Sequence, residues 1–355
     1  MARILYGIQG DRSGHVNRAL SVAGLLPGHE FLFVGGGAAE KAREAGYAFE
    51  RLPYMRVEIR DNSVRALPTF AGFIRNRLEQ GGWLKRLCEI ITAFDPHLIL
   101  TDCEYYTPRA ALRLGRPCYS LDHQHVLSRS RYTTGPGQAF SRMVALAFQR
   151  MFIPGVQGSL IVSFHRPPLV RPGRDAIFGT VPRPDVFSAR AEAGDHVLLY
   201  LPDCDPVKIE ALFGGRGREY RVYGLGKAAS RGAISFRAPS REGFLEDIAS
   251  AAYVVSCGGH GTLTEALHFG KASLCFPAHF DYEQYWNSYF VQEKGLGRFF
   301  TSMTVDRREV DAFESRLPEY AANIAAGDFG GGDALRGKLH AMLGGGGEPA
   351  LQVRT

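Results

Sequence analysis

The sequence of 355 residues is short of several things, and each shortage narrows what the chain can be. Its six cysteines are scattered singly at 88, 103, 118, 204, 257 and 275, with no C-x-x-C pair among them. That speaks against a disulfide framework and for reduced thiols in a cytosolic compartment. No run approaches the ~18 consecutive apolar residues of a spanning helix. The opening MARILYGIQG reads as a strand and a glycine turn, without the charged and apolar regions of a targeting segment. Short internal repeats are absent too. Charge of one sign is scarce overall, at a net of +6, but it is unevenly spread. Residues 51–90 hold eight Lys/Arg against four Asp/Glu, and residues 129–150 add four arginines and no acid. A bias of that kind is either a solvated face or a footprint for an anionic partner such as phospholipid, polyprenyl phosphate or nucleic acid.

What is present is alternation. Apolar runs at Ile4–Ile8, Phe31–Val34, Leu98–Leu100, Pro117–Leu121 and Ser159–Ser163 are separated by helix-like segments such as His15–Leu25 and Ala38–Ala45. The pattern breaks in a Pro/Arg/Gly-rich stretch and resumes with Val197–Leu201, Arg221–Tyr223, Tyr253–Ser256 and Ser273–Phe276. Buried strands alternating with helices predict a doubly wound α/β sheet, here formed twice. We expect a Rossmann-like domain over 1–165, a linker over 166–188 and a second Rossmann-like domain over 189–343. The last helices of the second domain are free to pack back on the first. The tail 344–355 is expected to be disordered.

The most informative segment reads AYVVSCGGHGTLTEALHFGKASLCFPAHFDYEQYWN over 252–287. A strand ends at Ser256, a turn of Cys257, Gly258, Gly259, His260 and Gly261 follows, and a helix is expected from Thr262. Glycines let backbone approach an anion, and a helix N-terminus supplies unpaired N–H groups. The segment is neither a Walker loop nor a three-glycine dinucleotide fingerprint. Glu265 has two readings. It closes a capping box with Thr262, or it faces a cleft and accepts ribose hydroxyls. Asp281, Glu283 and Gln284 open the next helix, either as ordinary polar helix-start residues or as readers of sugar hydroxyls.

In the first half, the loop after strand one carries Gly14-His15 at a strand-to-helix junction, which directs the imidazole into a cleft and suits a general base. Thr101-Asp102-Cys103-Glu104 and Asp122-His123-Gln124-His125 end later strands, and a carboxylate from either could orient His15. Two His and one Asp on one tight turn present poorly convergent metal ligands. Asp203-Cys204-Asp205 matches a metal–nucleotide D-x-D pattern but precedes Pro206 and a helix, where capping explains it. Two apolar stripes at helical spacing are core faces or interfacial faces: Trp83, Leu84, Leu87, Ile91 and Phe94, then Phe140, Met143, Val144, Ala147 and Met151.

The segment 252–287 resembles the donor-site signature of GT-B glycosyltransferases. It is similar to the lipid-intermediate N-acetylglucosaminyltransferases of peptidoglycan synthesis, to nucleotide-sugar-dependent natural-product transferases and to teichoic-acid-like bacterial and archaeal glycosyltransferases. The likeness spans the chain in outline and is specific over about 236–287. It implies an α/β GT-B architecture of two Rossmann-like domains around a cleft. It further implies transfer of a hexosyl group from a nucleotide diphosphate sugar, UDP-linked, to an acceptor hydroxyl, inverting and metal-independent, with no further cofactor. On the donor side it implies that Gly14, Ser256 and the turn Gly258, Gly259, His260, Gly261 and Thr262 surround the diphosphate, that Glu265 binds ribose, and that Glu283 and Gln284 read the sugar. Relatives with an H-G-G-x-G-T turn have a phosphate-contacting His where this chain has Cys257. Here a His stands at 260 instead, which leaves that contact open. The resemblance makes His15 the base and Asp102 its partner, with Glu104, Asp122 and His125 as acceptor-binding candidates. It favours a lipid-linked or membrane-proximal acceptor and a cytoplasmic protein peripheral to the membrane; a nucleic-acid acceptor is the charge-based alternative. A nucleotide-sugar hydrolase or epimerase of the same fold, and a non-catalytic binding protein, are the rival functions.

Overall fold

The computed structural model describes residues 1–344 apart from 57, 61, 62, 134, 136, 203, 227 and 228. Of the tail expected over 344–355, Gly344 ends the last helix and the rest lies outside the described residues, as does Asp203 of the D-x-D pattern. Two sheets carry the fold. The first is parallel throughout, in the order β3-β2-β1-β4-β5-β6-β7. Its strands are β1 (Arg3–Ile8), β2 (Glu30–Gly35), β3 (Ala48–Arg51), β4 (Leu98–Asp102), β5 (Tyr119–Asp122), β6 (Gly158–Val162) and β7 (Ala176–Phe178). The second is also parallel, in the order β10-β9-β8-β11-β12-β13. It comprises β8 (Val197–Tyr200), β9 (Tyr220–Tyr223), β10 (Ile234–Phe236), β11 (Tyr253–Ser256), β12 (Ser273–Cys275) and β13 (Gly297–Phe299).

The helices that matter below are α1 (Ser13–Leu25), α2 (Ala66–Phe94), α3 (Thr107–Arg113), α4 (Ala139–Phe152), α5 (His260–His268), α6 (Tyr282–Glu293) and α7 (Gly332–Gly344). Central strands are buried along their whole length because both faces are covered: all five residues of β4 and all four of β11 are buried, with polar residues only at their carboxyl ends, Thr101, Asp102 and Ser256. Each sheet reverses its winding once, between β1 and β4 and between β8 and β11. Such switch points open a crevice at the carboxyl ends of the strands, where ligands of α/β folds bind.

The stretch expected as a linker, 166–188, is more than one. Its residues Ala176–Phe178 pair with β6 and extend the first sheet by a seventh strand. Three residues leave too short an apolar run for periodicity to register. The chain also returns to its start: Leu335 and Leu339 of α7 are fully buried in the core formed by β1, α1 and β2.

The first apolar stripe is a core face and the second divides. Leu87 and Ile91 are buried, with Trp83, Leu84 and Phe94 packed against the same core. Phe140 and Met143 of the second stripe are 62% and 59% exposed. The exposed face of α2 lies earlier, at Leu67, Phe70, Ile74 and Leu78, a helical spacing the sequence reading did not single out. Among the described residues, no helix is long and apolar enough to cross a membrane.

Candidate functional site

Both switch points carry polar side chains. At the first, Ile8 of β1 lies in register with Asp102 of β4. The chain then turns into α1, whose first turn presents His15. Nδ1 of His15 lies 2.7 Å from Oδ1 of the fully buried Asp102. The expected pair is therefore formed. A carboxylate on Nδ1 favours the tautomer with the proton there, which leaves Nε2 without one, and Nη2 of Arg18 lies 3.2 Å from the same Nδ1.

Arg18, one helical turn further along α1, was missed. Its fork grips the same carboxylate, Nε to Oδ2 at 2.6 Å and Nη2 to Oδ1 at 2.8 Å. Burial opposes the guanidinium charge, but Asp102 outweighs it and raises the Arg18 pKa. The only sequence signal was its i+3 relation to His15 on one helix face.

At the second switch point, Tyr200 of β8 is in register with Ser256 of β11, and the glycine turn follows. Ser256 Oγ accepts from the N–H of Gly258 at 3.1 Å, which closes the turn. Gly258 has φ +77°, and a Cβ there would stand 2.2 Å from Ser288 Oγ and 2.8 Å from the Gln284 carbonyl. Only glycine fits. Gly261 is exposed, and a Cβ added to it would meet nothing within 4 Å. The helix begins at His260, two residues before the expected start, with Gly259 as an N-cap that has no side chain to cap the first turn. The first amides of α5 are thus left for an anion.

That shift of start removes the capping-box reading of Glu265. Its carboxylate instead receives a fork from Arg183, Nε to Oε1 at 2.7 Å and Nη2 to Oε2 at 3.1 Å. Burial raises the Glu265 pKa and Arg183 counters it. Arg183 follows a Pro-rich segment, and nothing in the sequence ties it to a position 82 residues away. A cavity of about 30 Å³ lies between the two switch points, bordered by Gly14 and Arg18 on one side and His260, Gly261, Thr264 and Glu265 on the other. The buried Nε2 of His260 and Oγ1 of Thr264 have no partner within the protein. Burial, then the neighbouring His123, pushes the His260 pKa well down.

Glu283 is half-buried opposite His15; burial raises its pKa, while His15 and Arg18 oppose the rise and Gln124 bonds to it. Gln284 is buried, and its Oε1 accepts from the N–H of Ala278 at 2.9 Å, bracing the loop after β12. Asp281 caps α6 through the N–H of Gln284 at 3.1 Å, and burial lifts its pKa to about 6.

The three acceptor candidates sit differently from expectation. Glu104 is buried and takes the N–H groups of Tyr106 at 2.8 Å and Thr107 at 2.5 Å, capping α3. Asp122 accepts from the backbone N–H of His125 at 2.8 Å and pairs with its Nδ1 at 2.7 Å, both side chains being buried. Glu104 is a helix cap and the Asp122–His125 pair a turn clamp, so the carboxylates expected to meet an acceptor are consumed internally. Asp205 likewise caps its helix through the N–H of Val207 at 2.9 Å, as the sequence suggested.

Ligand-type atoms of His15, Asp102 and Cys103 do fall within 4.8 Å of one another. The set suits a cation poorly. Burial holds the Cys103 thiol pKa well up, and its Sγ donates to Gln124 Oε1 at 2.8 Å.

Comparison with known proteins bears on the family and the fold. The chain is 24% identical over 335 residues to an uncharacterized glycosyltransferase of Methanosarcina acetivorans, covering 85% of this chain and 86% of that protein. A second such glycosyltransferase, from Methanosarcina mazei, is 23% identical over 334 residues, with 85% and 87% covered. Among solved structures, the glycotransferase of kitacinnamycin matches at TM-score 0.71 and 15% identity over 96% of this chain and 99% of its own. LpCGTa in complex with UDP matches at TM-score 0.66 and 16% identity over 97% and 99%. These structures share the fold, two parallel α/β domains of the GT-B type. The model of glycosyl transferase family 1 spans residues 2–318, and with both switch points and both sheets inside that span the chain belongs to this family.

Proposed function

We propose that the chain transfers a hexosyl group, with inversion, from a UDP-sugar to an acceptor hydroxyl. The observation that carries the reading is the His15–Asp102 pair at 2.7 Å, facing an uncapped glycine turn across the cleft between two switch points. The first amides of α5 and the Nε2 of His260 would hold the diphosphate, and the helix dipole would stabilise it as leaving group without a cation. Glu265 would accept the ribose hydroxyls. Glu283, opposite His15, would meet the donor sugar, with Gln284 holding the loop beside it. His15 Nε2 would take the acceptor proton as the acceptor oxygen attacks the anomeric carbon and the bond to the diphosphate breaks. UDP as donor nucleotide is supported by the UDP complex of LpCGTa, a structural neighbour.

The acceptor is proposed to be lipid-linked, presented near a membrane surface. The exposed apolar residues Leu67, Phe70, Ile74 and Leu78 of α2, and Phe140 and Met143 of α4, support this, together with the exposed Arg75, Arg77 and Arg142 beside them. The test is a turnover assay with UDP-sugars and a polyprenyl-phosphate-linked acceptor. Acceptor-dependent UDP release supports transfer, whereas fast UDP release with free sugar and no acceptor assigns the protein as a hydrolase.

A further inference from the structure

Behind the glycine turn, four polar groups form one buried chain across the two domains. His123, at the end of β5, is fully buried. Its Nδ1 lies 2.9 Å from the Val162 carbonyl of β6, and its Nε2 lies 2.7 Å from Oδ1 of Asn287 on α6. Nδ2 of Asn287 in turn donates to the carbonyl of Gly258 at 2.9 Å. Hydrogens can be counted along this chain. Both ends are carbonyls, which only accept. The Gly258 carbonyl needs the amide N–H of Asn287, which turns Asn287 Oδ1 toward the ring. The ring therefore meets an acceptor at each nitrogen, and a neutral imidazole owns one proton for two places. The chain is complete only when His123 is an imidazolium.

The surroundings oppose that charge. Burial pushes the His123 pKa down to about 4, and the Arg18 guanidinium on α1 adds to the push, with Asp122 beside it acting the other way. The ring of His260 on α5 stacks on His123 at 3.9 Å, Trp286 of α6 meets it edge-on, and two stacked imidazoles do not both carry charge in a buried site. What is missing is a negative charge on the far side of His260. That side borders the cavity at Gly261, where a diphosphate is proposed to sit.

We infer that a nucleoside diphosphate binding at the Gly258–Thr262 turn draws one proton from solvent onto His123, completing the Val162–His123–Asn287–Gly258 chain. His123 is the ring that gains, because acceptors face both of its nitrogens, whereas the diphosphate would meet His260 at Nε2 alone, which a neutral ring with its proton there already serves. The added charge lies one imidazole away from the diphosphate and offsets its charge as it leaves the sugar. It also strengthens a hydrogen bond that joins the first domain to the second, so donor binding tightens the contact between the domains. His123 is a positioning residue in this account. It acts on the diphosphate through His260 and through the Gly258 carbonyl. The inference rests on the reading that this turn holds the diphosphate.

Calorimetric titration of the full chain with UDP between pH 8 and pH 7 tests it, in buffers of differing ionisation enthalpy. In that range UDP is almost fully ionised, its last phosphate pKa being near 6, so any proton it still carries is released, opposite in sign to the uptake expected. The binding enthalpy should vary with buffer in the sense of proton uptake, and the UDP affinity should rise as pH falls, by up to about tenfold per unit. His123→Gln and Asn287→Ala should each bind UDP and lose the buffer dependence, since either change removes the unmet acceptor or the ring that would serve it. Using both keeps the test intact should one fail to fold. Binding of UDP with no buffer dependence in the unaltered protein overturns the inference and leaves the donor-site reading standing. Uptake that persists in both variants overturns it too, placing the proton on His15 or His260. If UDP, GDP and dTDP all fail to bind, both readings fall.

Discussion

Asp102 is the residue on which the first half of the site converges, since both His15 and Arg18 spend their polar atoms on it. The two contacts do different work. His15→Ala should cost a factor of roughly 10²–10⁴ in turnover, the usual contribution of a general base, while UDP affinity stays within a few-fold. Steady-state rates alongside UDP titration check this. Arg18→Ala should act on the fold first, because it takes the guanidinium fork from a fully buried carboxylate and leaves it to His15; a loss of about 2–3 kcal/mol in denaturant unfolding is expected. Arg18→Lys restores charge without the fork and should fall between. His123 supplies a pH signature. Its folded-state pKa is depressed below the ordinary 6.5, so the unfolded chain takes the proton first. Stability should therefore be full above about pH 6.5 and decline as pH falls toward 4, by about 3 kcal/mol from this group. Melting temperatures at pH 7 and pH 5 measure it, and His123→Gln should flatten the dependence. His15 and Asp102 were legible in the sequence because one opens the helix after a strong strand and the other ends a strong strand. Arg18, Arg183 and His123 were not, since their partners lie 84, 82 and 164 residues away and side-chain pairing at such range leaves no local pattern.

At the scale of elements, the donor turn is a strand end, a left-handed glycine and an uncapped helix. Gly258→Ala puts a side chain at φ +77° and against Ser288 Oγ. We expect donor binding to fall at least tenfold, with a lowered melting temperature, whereas Gly261→Ala, into open space, should leave the melting temperature nearly unchanged. The strand–turn–helix order was readable because glycine spacing and an apolar run announce it. The helix start was placed two residues late because Thr262 and Glu265 mimic a capping box whose acid is in fact held by Arg183. Short edge strands such as β3 and β7 escaped for another reason: half-exposed three- or four-residue segments have too few apolar positions to show a period. On α2, Leu67→Ser with Leu78→Ser changes side chains 84% and 82% exposed, so stability should hold within about 0.5 kcal/mol. The same pair should weaken sedimentation with anionic vesicles and slow transfer to a lipid-linked acceptor, leaving UDP affinity intact.

The whole molecule repeats one device: a parallel sheet reverses its winding, and the crevice so formed gathers polar groups. In the first sheet the crevice holds His15 and Asp102, and in the second it holds the glycine turn. The halves are fastened by α7 returning to the first core and by the His123–Asn287 bond. A cavity of about 30 Å³ lies between them, bordered by residues of both crevices. The double winding was legible from alternation alone, because buried parallel strands are largely apolar; the return of the last helices to the first domain was allowed for, but the His123–Asn287 bond was not, because it depends on which surfaces meet. The central claim is that His15 activates an acceptor for attack on a sugar held at the Gly258–Thr262 turn. Single-turnover transfer from a UDP-sugar to a lipid-linked acceptor, comparing the unaltered protein with His15→Ala, tests it most directly. The account predicts transfer by the former and loss by at least about a hundredfold in the latter, with UDP still bound; an unchanged rate in His15→Ala would contradict it.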